Sequence, residues 1–465
     1  MDDLPSSAAL LRFVAVLIVA VVSAGRADAS PTAAELPFEA ITLANGLRVV
    51  LHEDHRTPQV AVNVRYRVGF SDDPPGKRGL AHLFEHLMLR GSKHVGRDKY
   101  FGLLERAGAT ERNATTSLDD TKYFETLPSN ELALALWIES DRMGFFLDVL
   151  DQSILDKEKE VVRNEYRTGM LDRPYSFVQR YARNAICSAG HPYHWVVEGE
   201  MEDTDAITLD DLRAFFRKHY VPRNATLVIA GDIDRAKAKA LVSRYFDSLP
   251  AAAPLPIRAA TVPSVDGEQR LALESGAEAP RLTIAWPGPP AVTEAGVRLD
   301  LVADLLARAR GGRLYAALVR GAEIADRVSL YADGMGVRHG QVRWLDIELK
   351  KGTDPARALA EVDKVLEELR SKGPTERELA EAKARHADRL LWSLESVTKR
   401  ADLMSELDGL VRDPGALVKV QSFAAKSSVD AVRETAATWL SSRSRVVTTV
   451  THTRGAPVGG RLVLR

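Results

Sequence analysis

The apolar residues of this chain fall into runs whose period switches between two and three to four, and those switches mark its elements. Ile41-Thr-Leu-Ala-Asn45-Gly46-Leu-Arg-Val-Val-Leu51 places Asn-Gly between two alternating segments, the pattern of a tight hairpin. Val60 to Val68 alternates again and predicts a strand. Directly after it comes Gly79-Leu-Ala-His82-Leu-Phe-Glu85-His86-Leu-Met-Leu89. Its long apolar run predicts a largely buried helix. Helices are further predicted over 98–106, 132–147, 154–170, 209–219 (capped by Thr208) and 235–249, and strands over 114–124 and 225–232. Residues 251–264 are rich in Pro and Ala and read as an extended linker. The same grammar then returns: strands over 281–286, 344–349 and 446–451, helices over 297–310, 356–372 and 376–394. Two halves of roughly 200 residues with one rhythm predict an α+β protein with a duplicated domain, 38–250 and 265–455.

Composition narrows this picture only in part. A hydrophobic content of 45% and a charged content of 27% are ordinary for a globular protein, and a net charge of −1 gives no global field for nucleic acid. Cys187 is the single cysteine, which excludes an intramolecular disulfide framework and a cysteine-rich metal site. Any metal must therefore use His and carboxylate. At the N-terminus, Phe13 to Ala24 is an apolar run with the length of a signal-peptide core, and Ala27-Asp28-Ala29 fits a cleavage site. Residues 1–29 are thus expected to be a signal peptide, with Ser30 as the mature start and the periplasm as the compartment. The alternative is an uncleaved anchor, since Asp2 and Asp3 are unusual for such a leader.

The chemistry sits in His82-Leu-Phe-Glu85-His86. At 3.6 residues per turn, positions 82, 85 and 86 share one face of a helix. Two neutral imidazoles and a carboxylate suit a catalytic zinc site with an open position, and the order H-x-x-E-H inverts the usual zincin motif. Helical surface histidines are the plain alternative, but Leu83, Phe84, Leu87 and Met88 argue for burial, where an idle charged cluster is costly. A third ligand must come from elsewhere. In Glu158-Lys-Glu160-Val-Val-Arg-Asn-Glu165, the residues Glu158 and Glu165 lie two turns apart on one face, and Glu160 points elsewhere. The spacing does not choose between the first two. His191 and His194 read as structural loop residues, and His52, His55 and His94 as surface residues.

Several segments in order resemble the pitrilysin-type (inverzincin, M16) zinc metallopeptidases, above all short bacterial members related to the mitochondrial processing peptidase subunits. They are Leu43-Ala-Asn-Gly-Leu-Arg-Val49, Gly79 to Leu87, Asn113-Ala-Thr-Thr-Ser-Leu-Asp-Asp-Thr-Lys-Tyr123, Glu158 to Glu165, His191-Pro-Tyr193 and Tyr220 to Asp232. The resemblance implies two homologous α/β-sandwich domains of the half-clamshell type, the second catalytically inactive. It implies that His82, His86 and Glu165 bind Zn2+, that Glu85 is the general base, and that Glu158 is an auxiliary acid behind the ligands. Asn113, Ala114 and Thr115 resemble the family's substrate strand, which a peptide extends by β-pairing. The implied function is a zinc metalloendopeptidase of short or unfolded peptides. Other divalent ions also suit a His2Glu site.

One departure stands out. Many members carry an Arg and a Tyr seven residues apart in the second half, and here Val319 and Asp326 occupy those positions. In the family, half-length chains work as pairs, and some pairs divide the zinc site and the Arg/Tyr pair between the two chains. This chain is therefore expected to be the zinc-bearing partner of a related subunit, with a homodimer as the variant of that reading. Competing functions are a non-catalytic assembly subunit and a binding module for extended peptides. The intact His82, Glu85, His86 and Glu165 weigh against the first.

Overall fold

The computed structural model describes residues 35–194, 201–255, 262–334 and 337–463. The expected signal segment 1–29 lies outside the described residues, as do 256–261 of the expected linker. The alternating segments build two six-stranded sheets. The first holds β1 (Glu39–Thr42), β2 (Arg48–Glu53), β3 (Gln59–Tyr66), β4 (Glu111–Thr116), β5 (Thr121–Pro128) and β6 (Ala225–Gly231), ordered β1-β2-β6-β3-β5-β4. The second holds β7 (Gly267–Ser275), β8 (Arg281–Gly288), β9 (Ala325–Ala332), β10 (Gln341–Leu349), β11 (Ser444–His452) and β12 (Arg461–Leu462), ordered β12-β7-β11-β8-β10-β9. Each has one parallel pair, β2 with β6 and β7 with β11. Each also ends in a strand open on one side, β4 or β9.

The helices of the first half are α1 (Leu80–Leu87), α2 (Tyr100–Arg106), α3 (Leu132–Phe145), α4 (Gln152–Tyr166), α5 (Phe177–Ile186), α6 (Met201–Ala206), α7 (Leu209–His219) and α8 (Arg235–Phe246). Those of the second are α9 (Glu294–Ala307), α10 (Pro355–Lys372), α11 (Glu376–Trp392), α12 (Val397–Val411), α13 (Leu417–Lys426) and α14 (Val429–Trp439). Local chemistry sets several ends. Thr208 caps α7 in a capping box with Asp211. The Asn45-Gly46 turn joins β1 to β2 with Gly46 at φ +90°, and the Asn45 amide donates to the Phe246 and Leu249 carbonyls.

The structure corrects the single strand expected over 114–124. Two strands lie there, β4 and β5, joined by the turn Ser117–Asp120, whose Ser117 N–H donates to the Asp120 carbonyl at 2.7 Å. Thr and Tyr on both sides give one continuous β signal, so the turn is hidden in the pattern. Strands β7, β9 and β12 and helices α5, α6 and α12–α14 lie outside the elements expected from the sequence, although α5 is strongly amphipathic. β9 is an open edge with exposed Asp326 and Arg327, which blurs its alternation.

The two halves exchange a helix. α12, from the second half, covers the outer face of the first sheet, where Val397, Ala401 and Met404 pack on Val50, Ala61, Val228 and Ala230. Conversely, Ala182 and Ile186 of α5 pack with Ala285, Trp344 and Val446 of the second sheet. Each fully buried aliphatic side chain at such a contact is worth about 1.5–3 kcal/mol. Polar bonds fix the register: Arg65 donates to Asp402, Ser405 and Asp120, and Arg183 pairs with Asp333.

Candidate metal centre

Helix α1 is held at three places. Gly79 enters it at φ +88°, a left-handed conformation that an L side chain strains. Buried Asp73 accepts the N–H groups of Gly79 and Ala81, which have no partner inside the helix. The Tyr123 hydroxyl of β5 donates to the Phe84 carbonyl at 3.0 Å. Leu80, Ala81, Leu83, Phe84 and Leu87 face the core, and the Phe84 ring stacks on Phe215 and Tyr220. Helical periodicity then turns His82, Glu85 and His86 together toward α4.

From α4, Glu165 reaches this face. The Nε2 atoms of His82 and His86 are 3.2 Å apart, and Glu165 Oε2 lies 3.2 Å from His86 Nε2 and 3.6 Å from His82 Nε2. A tetrahedral ion with bonds of about 2.0–2.1 Å holds its ligands about 3.3–3.4 Å from each other, so this triangle fits zinc. The donor set, two imidazoles and one carboxylate, is that of an open catalytic site. These three residues are the metal-capable cluster among the described residues. Burial, with His86 beside it, pushes the His82 imidazole down to about 4, which keeps it neutral and able to donate a lone pair near pH 7.

Glu158 has a different place. It is fully buried, its Oε1 accepts Arg90 Nε at 2.6 Å, and its Oε2 stands 3.8 Å from His86 Nδ1. A carboxylate behind the far ring nitrogen orients a ligand histidine and fixes its tautomer. Glu85 is half-buried beside the triangle. Burial raises its carboxyl above the usual carboxylate range, and hydrogen bonds from Thr116 oppose that rise. A carboxylate raised in this way is a stronger base than a free one.

Thr116 ends β4, so the open strand runs into the site. The Ser117–Asp120 bond sets the antiparallel register: residues 113 and 115 bond to β5, while 112, 114 and 116 turn their N–H and C=O groups to the free side. Asn113 and Thr115 are exposed and Ala114 is buried. The Ala114 N–H donates to the Asn113 side-chain oxygen at 2.9 Å. Asn113, Ala114 and Thr115 thus lie on an unpaired edge next to Glu85.

Sequence reasoning missed Arg90, Thr116, Asp73 and Tyr123. Arg90 sits four residues after His86, which was the available signal for it; the other three are recognisable only from the fold. His52 is a correction: it is buried, with Nδ1 2.8 Å from the Pro37 carbonyl, because the segment before β1 folds over β2. His55 and His94 are exposed, paired with Asp232 and Asp141. His194 and His191 bond locally, to the Cys187 carbonyl and the Tyr193 N–H. Val319 packs on the second core and Asp326 is exposed on β9.

This fold and this motif define the inverted H-x-x-E-H class of metallopeptidase-like proteins. Residues 48–181 match the family profile described as insulinase (peptidase family M16), and residues 206–385 match the M16 inactive domain. Between them these matches cover more than half of the chain, which belongs to the M16 peptidase family. It is 28% identical over 376 residues to the zinc protease PqqE of Helicobacter pylori, a match covering 79% of this chain and 82% of that one. A crystal structure of a protease from Helicobacter pylori superposes with a TM-score of 0.83 at 25% identity, over 89% of this chain and 99% of that one. The periplasmic protease PqqL of Escherichia coli shares the fold, with a TM-score of 0.73 at 18% identity. That likeness covers 90% of this chain and 48% of PqqL.

Proposed function

We propose that this chain is a zinc-dependent endopeptidase for short or unfolded peptides and the zinc-bearing member of a dimer. The observation that carries the proposal is the triangle of His82 Nε2, His86 Nε2 and Glu165 Oε2, with sides of 3.2, 3.2 and 3.6 Å, beside a half-buried Glu85. His82, His86 and Glu165 would hold the ion, which when bound supplies Lewis acidity at the scissile carbonyl and lowers the pKa of adjacent water.

The chain's own groups do the rest. The outward backbone of Arg112, Ala114 and Thr116 pairs with an extended peptide and leads it past Glu85; the peptide displaces the Ala114 N–H from the Asn113 side-chain oxygen and the Thr116 N–H from Glu85. This requirement for extended backbone favours short or unfolded substrates. Glu85 takes the proton of the attacking water and returns it to the leaving amine. Glu158, held by Arg90, keeps the His86 Nδ1 protonated so that Nε2 faces the ion.

Two further parts of the reading rest on sequence. The leader 1–29 supports export to the periplasm, where the relative PqqL is described as acting. Among the described residues, no helix is long and apolar enough to cross a membrane. Val319 and Asp326, in place of an Arg/Tyr pair, support a partner subunit that supplies those groups.

The test is metal content and hydrolysis of an internally quenched peptide by the purified full chain. Glu85→Gln should keep zinc and lose activity by two to four orders of magnitude. Hydrolysis that persists in this variant sinks the mechanism. Full turnover by the chain alone sinks the division of labour.

A further inference from the structure

The free edge of β4 does not end at Asn113. It continues into a groove of about 460 Å³ lined by Phe101, Thr110, Glu111, Arg112, Asn113 and Phe124. Two phenylalanines wall it, one from each face of the sheet. Phe101 comes from α2, whose Tyr100 and Leu104 pack with Ile138 of α3, on the side that carries α1. It is 42% exposed, a large apolar ring standing in solvent next to an unpaired strand. Phe124 stands on the opposite side of the sheet: it pairs in register with Asn113 and Asn63, and Asn63 bonds to Asp402 of α12. Cations support both rings: the Arg112 guanidinium lies 6.0 Å from Phe101 and Lys122 Nζ 5.5 Å from Phe124.

A strand added to β4 sends successive side chains to alternate faces. One that pairs near Thr110–Asn113 therefore puts one side chain on Phe101 and its neighbour on Phe124. Arg112 and Asn113 precede Thr116, the residue that touches Glu85, by four and three positions, so this contact falls about 10–13 Å from the site. We infer that the Phe101–Phe124 groove is a specificity subsite. It takes a bulky apolar side chain, an aromatic one above all, three or four residues from the scissile bond. The occupant is the peptide itself because the groove is continuous with the open edge beside Glu85. The inference rests on reading β4 as the peptide-bearing edge.

The experiment uses the full chain with zinc. Peptides of Gly, Ser and Thr carrying one Phe, moved position by position, are bound to the Glu85→Gln variant and followed by fluorescence anisotropy. The same peptides are given to the unaltered chain and their cleavage sites mapped. Phe should tighten binding about tenfold over Ala, and cleavage should fall three or four residues from it. Phe101→Ser should bring the Phe/Ala ratio below about twofold, and Phe101→Tyr should restore it. Equal binding of Phe and Ala peptides, or a preference unchanged in Phe101→Ser, overturns the subsite. A dimer of the chain that Phe101→Ser dissolves overturns it in favour of an interface between copies. Cleavage without any Phe preference sinks the subsite alone. Phe-selective binding by a chain that takes up no zinc sinks the peptidase reading and leaves the subsite standing.

Discussion

Glu158→Gln is the sharpest test of how this centre is supported, because the substitution keeps the shape while it removes the charge paired with Arg90 and turns one acceptor into a donor. In the folded chain Glu158 is fully buried, and its Oε1 accepts Arg90 Nε at 2.6 Å. Its Oε2 has no other partner and faces His86 Nδ1 at 3.8 Å. With Gln in place, Arg90 still demands an acceptor, so the amide oxygen stays on Arg90 and the NH2 turns toward His86. That NH2 donates to Nδ1 and favours the tautomer with its proton on Nε2, the atom that faces Glu165 and His82. Losing a partner of this kind costs 10–100-fold in metal affinity, about 1.4–2.7 kcal/mol. The assay is competition for zinc against a chromophoric chelator at neutral pH, with thermal melts of the metal-free proteins as the check on folding. An unchanged zinc affinity in a folded Glu158→Gln protein would refute the reasoning.

Three further outcomes follow from packing. Tyr123→Phe removes the bond to the Phe84 carbonyl and should cost about 1 kcal/mol in urea unfolding, since that carbonyl sits in the core; no loss would show that α1 is held by apolar contacts. Arg65→Met takes the shared cation from Asp120 of the β4–β5 turn and Asp402 of α12, and a destabilisation of about 3 kcal/mol is expected, less than a complete buried-pair loss because Lys122 still pairs with Asp402. A loss under about 1 kcal/mol would mean that the exchanged helix does not depend on its ion pairs. Arg313 holds the Glu378 carboxyl at about 2, below its ordinary 4.5, so the pair contributes stability that is present above pH 4.5 and lost as pH falls toward 2. The pair is partly exposed, so solvent screening leaves about 1 kcal/mol, and Glu378→Gln should flatten that stretch of the acid-unfolding curve.

Much of the centre was legible along the chain because it is helical. His82, Glu85 and His86 share a face by the arithmetic of 3.6 residues per turn, and the apolar residues between them say which way that face cannot point. Thr208 and Asn45-Gly46 announced their cap and turn through local hydrogen bonding alone. The third acid was not legible in this way. Glu158 and Glu165 lie on one face of α4, and spacing treats them alike. Packing separates them, because Arg90 and the core close over Glu158 while Glu165 stays at the open end beside the imidazoles. The β4–β5 turn escaped for the same reason: a Thr- and Tyr-rich run has one propensity throughout, and only the Ser117–Asp120 bond divides it. By itself, then, the sequence determined which residues can do chemistry and the helix face that presents them, since these depend on neighbours a few positions away. Where the residues' own pattern left the choice open and only the family resemblance spoke, the tertiary structure brings Glu165 to the histidines and leaves β4 open beside Glu85, and it alone decided that the two halves trade α5 for α12. Those depend on contacts between residues tens to hundreds of positions apart, where burial and unpaired backbone groups carry no local pattern.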